Sequence, residues 1–240
     1  MELVRTTFDD RVSGIESYFE LVDKIEIAVR SGGAFIKAGD DDYRITPEQQ
    51  KIMYSGIYLH LYNLVESTVS MCIEAVERHA LDGIGNNLCD FTEKMRAIYV
   101  KSILKPHESL SYEKRLEGAL DLFRQVMGES DIQLKIFAGG GGSWGSTEIK
   151  NFSKTIGVDI HLPRAINQSV NRPFRDEKGP IRLIKDIRNK LAHGSLSFVE
   201  CGEGHVASDF RRLINIVKDY LACIISAYEY FIDHCKYKTA

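Results

Sequence analysis

The sequence predicts an all-α fold, a helical bundle with long antiparallel helices and a small irregular insertion at about 130–175. Three observations predict it. Apolar residues recur every three or four positions through most of the chain, strand-like segments are few, and strands do not alternate with helices. No internal repeat or interdomain linker breaks the pattern, so residues 1–240 read as a single domain, long enough to bury a proper core.

Phe8, Val12, Ile15, Phe19, Val22 and Val29 make a first helix that ends near Ser31-Gly32-Gly33. A polar loop around Asp40-Asp41-Asp42 follows. Thr46-Pro47-Glu48-Gln49 then supplies an N-cap, a proline at the first helical position and a capping-box glutamine. The apolar stripe Met53, Ile57, Leu61, Val65, Val69, Cys72 and Val76 carries this second helix through about 30 residues, until Gly83 and Gly85. Two shorter helices, at about 90–104 and 111–127, flank Lys105-Pro106-His107. Within the insertion, Gln133–Phe137 reads as a strand, and Ser146–Lys154 reads as a helix. Gly140-x-Gly142-x-x-Gly145 lies between them as a loop anchored by Trp144. A short amphipathic helix at 181–192 stops at Gly194, and Leu196–Val199 is again strand-like. Ser208 caps the last helix, where Phe210, Leu213, Val217, Tyr220, Ile224, Tyr228, Phe231 and Cys235 repeat at helical spacing, with Tyr230 at its outer edge.

A hydrophobic content of 44% and a charged content of 27% are those of an ordinary globular chain. No apolar run approaches the roughly 18 residues of a membrane span. The acidic N-terminus lacks the apolar region of a signal peptide. The five cysteines are odd in number, widely spaced and without a CxxC pair, as expected of reduced thiols. A cytoplasmic location with no membrane partner is therefore expected. A formal charge of −3 argues against bulk nonspecific nucleic-acid binding. The distribution is uneven: Arg164 to Lys190 carries eight Lys/Arg against Asp176, Glu177 and Asp186, a local net of +5. Lys185 belongs to this basic run, which leads into the segment that decides the functional reading.

That segment is Asp186-Ile187-Arg188-Asn189-Lys190-Leu191-Ala192-His193-Gly194. Arginine is a permanent planar cation whose paired donors match phosphate oxygens. Histidine can both take and give a proton near neutral pH. At 3.6 residues per turn Asn189 and His193 share a face, whereas Arg188 lies about 140° round from His193. One helix does not bring Arg and His neatly onto one phosphate. Two copies of the helix across a two-fold axis would. The alternative stays open at this level: Arg188 pairs with an acid such as Glu66, and His193 sits at a helix C-terminus where a cation is favoured.

Arg188-Asn189-x-x-x-His193 resembles the RNase signature of the HEPN superfamily (higher eukaryotes and prokaryotes nucleotide-binding). The long helix containing Tyr62-Asn63-Leu64-Val65-Glu66, the Leu191-Ala-His-Gly-Ser-Leu-Ser-Phe198 turn and the long final helix are similar to a bacterial branch, the MAE-like HEPN proteins. The resemblance covers roughly residues 5–235 and is loose over 130–175. It implies an α-helical domain that forms a homodimer with a composite site. Many members are metal-independent endoribonucleases of toxin–antitoxin or phage-defence systems. Carried over, Arg188 and His193 would be catalytic and Asn189 auxiliary, with Glu66 and Lys185 in support. Other members keep the fold as noncatalytic interaction or nucleotide-binding modules. The partners implied are RNA, a second copy and a cognate antitoxin protein, with no cofactor and no metal.

The remaining motifs carry less. Gly140-x-Gly142-x-x-Gly145 lacks a surrounding βαβ pattern, and no Gly-Lys-Ser/Thr follows it, leaving the role of Gly139–Gly142 open. His60, His79, His107, His161, His205 and His234 show no metal-ligand spacing and read as structural or exposed.

Overall fold

The computed structural model describes residues 1–39, 41–85, 87–104, 111–137 and 143–239. Three long helices form its frame: α1 (Glu2–Arg30), α2 (Pro47–Ile84) and α9 (Ala207–Asp233). Between the last two lie α3 (Glu93–Leu104), α4 (Tyr112–Val126), α5 (Ser146–Ile156), α6 (Arg164–Asn171), α7 (Pro180–Ala192) and α8 (Phe198–Cys201). The fold is all-α apart from one two-stranded sheet, β1 (Phe35–Ala38) with β2 (Asp41–Arg44). Among the described residues no helix is long and apolar enough to cross a membrane.

Side-chain pairs set the helix directions. Arg5 at the start of α1 pairs with Glu229 near the end of α9, and Glu26 near the end of α1 meets the first residue of α9. Tyr18 of α1 donates to the Met53 carbonyl at 2.9 Å, at the start of α2. Helix α1 is therefore antiparallel to both α2 and α9. Buried aromatic and aliphatic side chains fill the space between them, including Tyr58, Leu61, Tyr62, Phe210, Ile224 and Tyr228. The hydrophobic cluster that starts at Val4 continues to Tyr237 and takes in Leu134, Ile136, Trp144, Ile149, Ile156 and Val170 of the insertion.

The second helix starts as its sequence dictates. Thr46 accepts from the Gln49 amide at 3.3 Å, and the Gln49 side chain accepts from the Thr46 amide at 2.9 Å, with Pro47 at the first turn. The last helix does not. Ser208 is not its cap; the helix begins at Ala207 after Val206, which has no side chain able to cap. Instead the Ala207 amide donates to the buried Glu26 carboxylate at 2.6 Å, and Glu26 also takes the Tyr54 hydroxyl and the Arg30 guanidinium. A carboxylate at a helix N-terminus meets unpaired amides and the positive end of the dipole. Here it comes from 181 residues away.

Neither segment read as a strand is one. Gln133–Phe137 joins no ladder among the described residues; the Ile136 amide donates to Glu77 of α2 while Leu134 and Ile136 are buried. Leu196–Val199 contains the start of α8, where Ser197 and Glu200 cap each other at 3.2 and 2.9 Å. The strands lie instead at 35–44, where Asp41 and Asp42, expected in a loop, belong to β2; Phe35 pairs with Arg44 and Lys37 with Asp42. Lys105-Pro106-His107 and the glycines Gly139–Gly142 lie outside the described residues.

Candidate active site

Helix α7 is positioned by close backbone approach. It starts at Gly179 and Pro180, and a Cβ on Gly179 would lie 2.5 Å from the Val170 carbonyl oxygen at the end of α6. Only glycine fits that crossing. Ile181, Leu183, Ile184 and Leu191 are buried against α2 and α9. The opposite face carries Arg182, Asp186, Asn189 and His193, which all fall within about 60° of Asn189 at 3.6 residues per turn.

The helix ends in a Schellman motif. Gly194 takes a left-handed φ of +67°, its amide donates to the Leu191 carbonyl at 3.2 Å, and the Ser195 amide donates to Lys190 at 3.0 Å. His193 is thereby fixed as the C-cap residue, with φ −92° and ψ 4°. Its side chain is exposed and has no hydrogen bond within the described residues.

Arg188 sits on the flank of α7 that faces α2. Its guanidinium lies over the buried Tyr62 ring, 4.2 Å from the centroid, and Nη2 is 3.5 Å from Glu66 Oε2. Tyr62 and Glu66 are four residues apart, so one face of α2 presents a π-surface and a carboxylate together. Nη1 donates to Asn189 Oδ1 at 2.9 Å. That bond links the guanidinium to Asn189, the residue one turn before His193 on the same face.

Three of the five residues singled out from the sequence are in contact, Arg188 with Asn189 and Glu66; His193, one turn beyond Asn189 on its face, makes no hydrogen bond to them. Lys185 is committed elsewhere, with its ammonium on Glu148 of α5. This ion pair is the main reason that Glu148 is held below the usual carboxylate range. The basic run is divided in the same way. Lys178 pairs with Asp186 at 2.8 Å and Arg175 binds His205, while Arg164, Arg172, Arg182 and Lys190 are exposed. The role of Tyr62 was not foreseen; an aromatic residue four before Glu66 was the available signal.

The other residues weighed from the sequence fall as follows. Trp144 is buried, 5.3 Å from the Phe152 ring, with its amide 3.4 Å from the Tyr62 hydroxyl. Tyr228 is buried and bonds Ser153 at 2.9 Å, whereas Tyr230 is exposed against His234. Among the described residues no group of His, Cys, Asp and Glu could hold a metal ion.

An all-α bundle with an Arg-Asn-x-x-x-His segment ending the helix before its last long one defines a class, the HEPN-type domains. The family model for HEPN_MAE_28990-like HEPN matches residues 2–237, and the chain belongs to that family. A shorter likeness, 35% identical over 68 residues, is to a shikimate kinase of Shewanella frigidimarina (strain NCIMB 400). It covers 28% of this chain and 40% of that protein. No solved structure matches the chain significantly.

Proposed function

We propose that this protein is a metal-independent endoribonuclease of a bacterial toxin–antitoxin or phage-defence system, acting as a homodimer. One observation carries the reading: Arg188 bonds Asn189, and His193 stands exposed one turn further along the Asn189 face at the helix end. Two such edges facing each other across a two-fold axis supply two guanidiniums and two imidazoles to one phosphodiester.

In that cleft the RNA 2′-OH is the nucleophile. One His193 takes its proton as the 2′-oxygen bonds to the adjacent phosphorus, and the P–O5′ bond breaks. The same His193 then gives that proton to the departing 5′-oxygen. The products are a 2′,3′-cyclic phosphate and a 5′-hydroxyl. Arg188 stabilises the charge that builds on the non-bridging oxygens. Tyr62 and Glu66 hold the guanidinium in place, which lowers the entropy cost of using a long side chain. DNA, lacking the 2′-OH, is not cut.

The test is cleavage of single-stranded and structured RNA in EDTA by the wild type, Arg188→Ala and His193→Ala. Cutting that survives EDTA and falls at least about a hundredfold in each variant is the expected outcome, the scale of losing a general acid–base group. Intact RNA with all three proteins would remove the reading. A second reading, a noncatalytic module that docks a partner such as an antitoxin, has one observation in its favour. Arg188 already satisfies itself within the chain through Asn189, Glu66 and Tyr62. Under it, the variants alter partner binding and no RNA is cut.

A further inference from the structure

Glu66 has a second neighbourhood. It also lines a groove between α1 and α2 with a cavity volume of about 590 Å³. That is within the roughly 300–1,000 Å³ of small-ligand sites. We infer that this groove seats the nucleobase beside the scissile phosphate and sets the cut-site preference. The inference rests on the ribonuclease reading of Arg188.

The groove has the parts that base recognition needs. Its floor is apolar, formed by Ile15 and Leu64, both buried. Its rim carries Arg11, His60 and Asn63, all exposed. None of the three has a hydrogen-bond or ion-pair partner among the described residues. The His60 ring, 4.9 Å from Tyr18, offers a flat face for stacking. The Asn63 amide offers a donor and an acceptor for a base edge, and Arg11 offers a cation for the adjoining phosphate. At Gly14 the wall is open: a Cβ there would meet nothing within 4 Å.

Continuity with the motif comes through one carboxylate. Glu66 Oε2 is 3.5 Å from Arg188 Nη2, so the groove opens one side chain away from the guanidinium assigned to the phosphate. Its charge is already met by Arg188, and Oε1 has no partner among the described residues, which leaves an acceptor for a base N–H. A strand whose phosphate lies on Arg188 has its next base within reach of His60 and Asn63.

The test uses the full chain and hexaribonucleotides methylated at the attacked 2′-oxygen, so that they bind without being cut. The four bases are placed in turn beside the blocked phosphate, and binding is read by fluorescence anisotropy. The wild type is expected to favour one base over the poorest by about tenfold or more, the scale of one stacking and edge contact. Gly14→Leu fills the groove from a helix position where leucine is better tolerated than glycine, so its melting temperature holds or rises. Gly14→Leu and Asn63→Ala should each level the preference to within about twofold and weaken the best ligand about tenfold. Unchanged preference in both variants, or none in the wild type, overturns the inference. Sequencing of cleavage ends separates the two claims. Cutting with the same site preference in Gly14→Leu removes the groove and keeps the nuclease. Groove-dependent binding without any cutting does the reverse.

Discussion

His205 shows what burial does to one titratable side chain. Its ring accepts a contact from Tyr58 at 3.2 Å, lies beside Phe210, and is bonded by Arg175. Burial first, and then the Arg175 charge, push its pKa down to about 4. The folded chain keeps the ring neutral while the unfolded chain protonates it below an ordinary value of about 6.5. Stability from this group is therefore complete above pH 6.5 and drains away as pH falls toward 4. Because the ring is only partly buried, the loss is discounted for screening to about 1–2 kcal/mol. Urea unfolding at pH 7.5, 6 and 4.5 should show a steeper decline for the wild type than for His205→Gln. Parallel declines would mean that His205 is not the group responsible. At the motif, Arg188 has its position fixed by its neighbours. Its three contacts, Tyr62, Glu66 and Asn189, hold it by stacking and hydrogen bonding. Only the i,i+1 relation to Asn189 and the presence of an acid were visible in the sequence.

Helices whose signals are local were legible, and helices completed by distant residues were not. The capping box at Thr46 and Gln49, the stop at Gly194 and the stripe of α9 from Phe210 to Phe231 are each written within a few residues and form as read, whereas Cys235, counted in that stripe, is exposed in a turn beyond the helix with φ +45°. The start of α9 was misplaced at Ser208 because its first amide is taken by Glu26, a contact that no window around residue 207 contains. Gln133–Phe137 alternates like a strand because Leu134 and Ile136 turn inward, but Glu77 supplies the acceptor that a neighbouring strand would have. At Leu196–Val199 the information was present: Ser197-x-x-Glu200 is a capping box, outweighed by its apolar neighbours. Gly194 gives a test at this scale. Its φ of +67° is costly for a β-branched residue and mild for asparagine. Gly194→Val should lower unfolding free energy by about 1–2 kcal/mol and Gly194→Asn by much less, measured by urea titration. Equal losses would place the cause in packing, although a Cβ at Gly194 meets nothing within 4 Å.

For the whole molecule, the proposed function requires that α7 present half of a site. Helical geometry keeps Arg188 and His193 apart, about 140° round the helix from each other, and Arg188 bonds Asn189 between them. In the proposed homodimer a second copy supplies what one chain withholds, and that arrangement predicts a result that a self-contained site cannot give. In a heterodimer of Arg188→Ala with His193→Ala, one intact arginine and one intact histidine share the cleft, although neither chain carries both. Mixing the two inactive variants under conditions of subunit exchange should therefore restore a measurable fraction of RNA cleavage, while either variant alone stays inactive. Light scattering before and after mixing confirms that the species is a dimer. If each chain worked alone, no mixture of the two could cut, because no chain in it would hold a complete set. Activity regained on mixing, and absent when exchange is blocked by crosslinking each homodimer first, fixes the site at the two-fold axis.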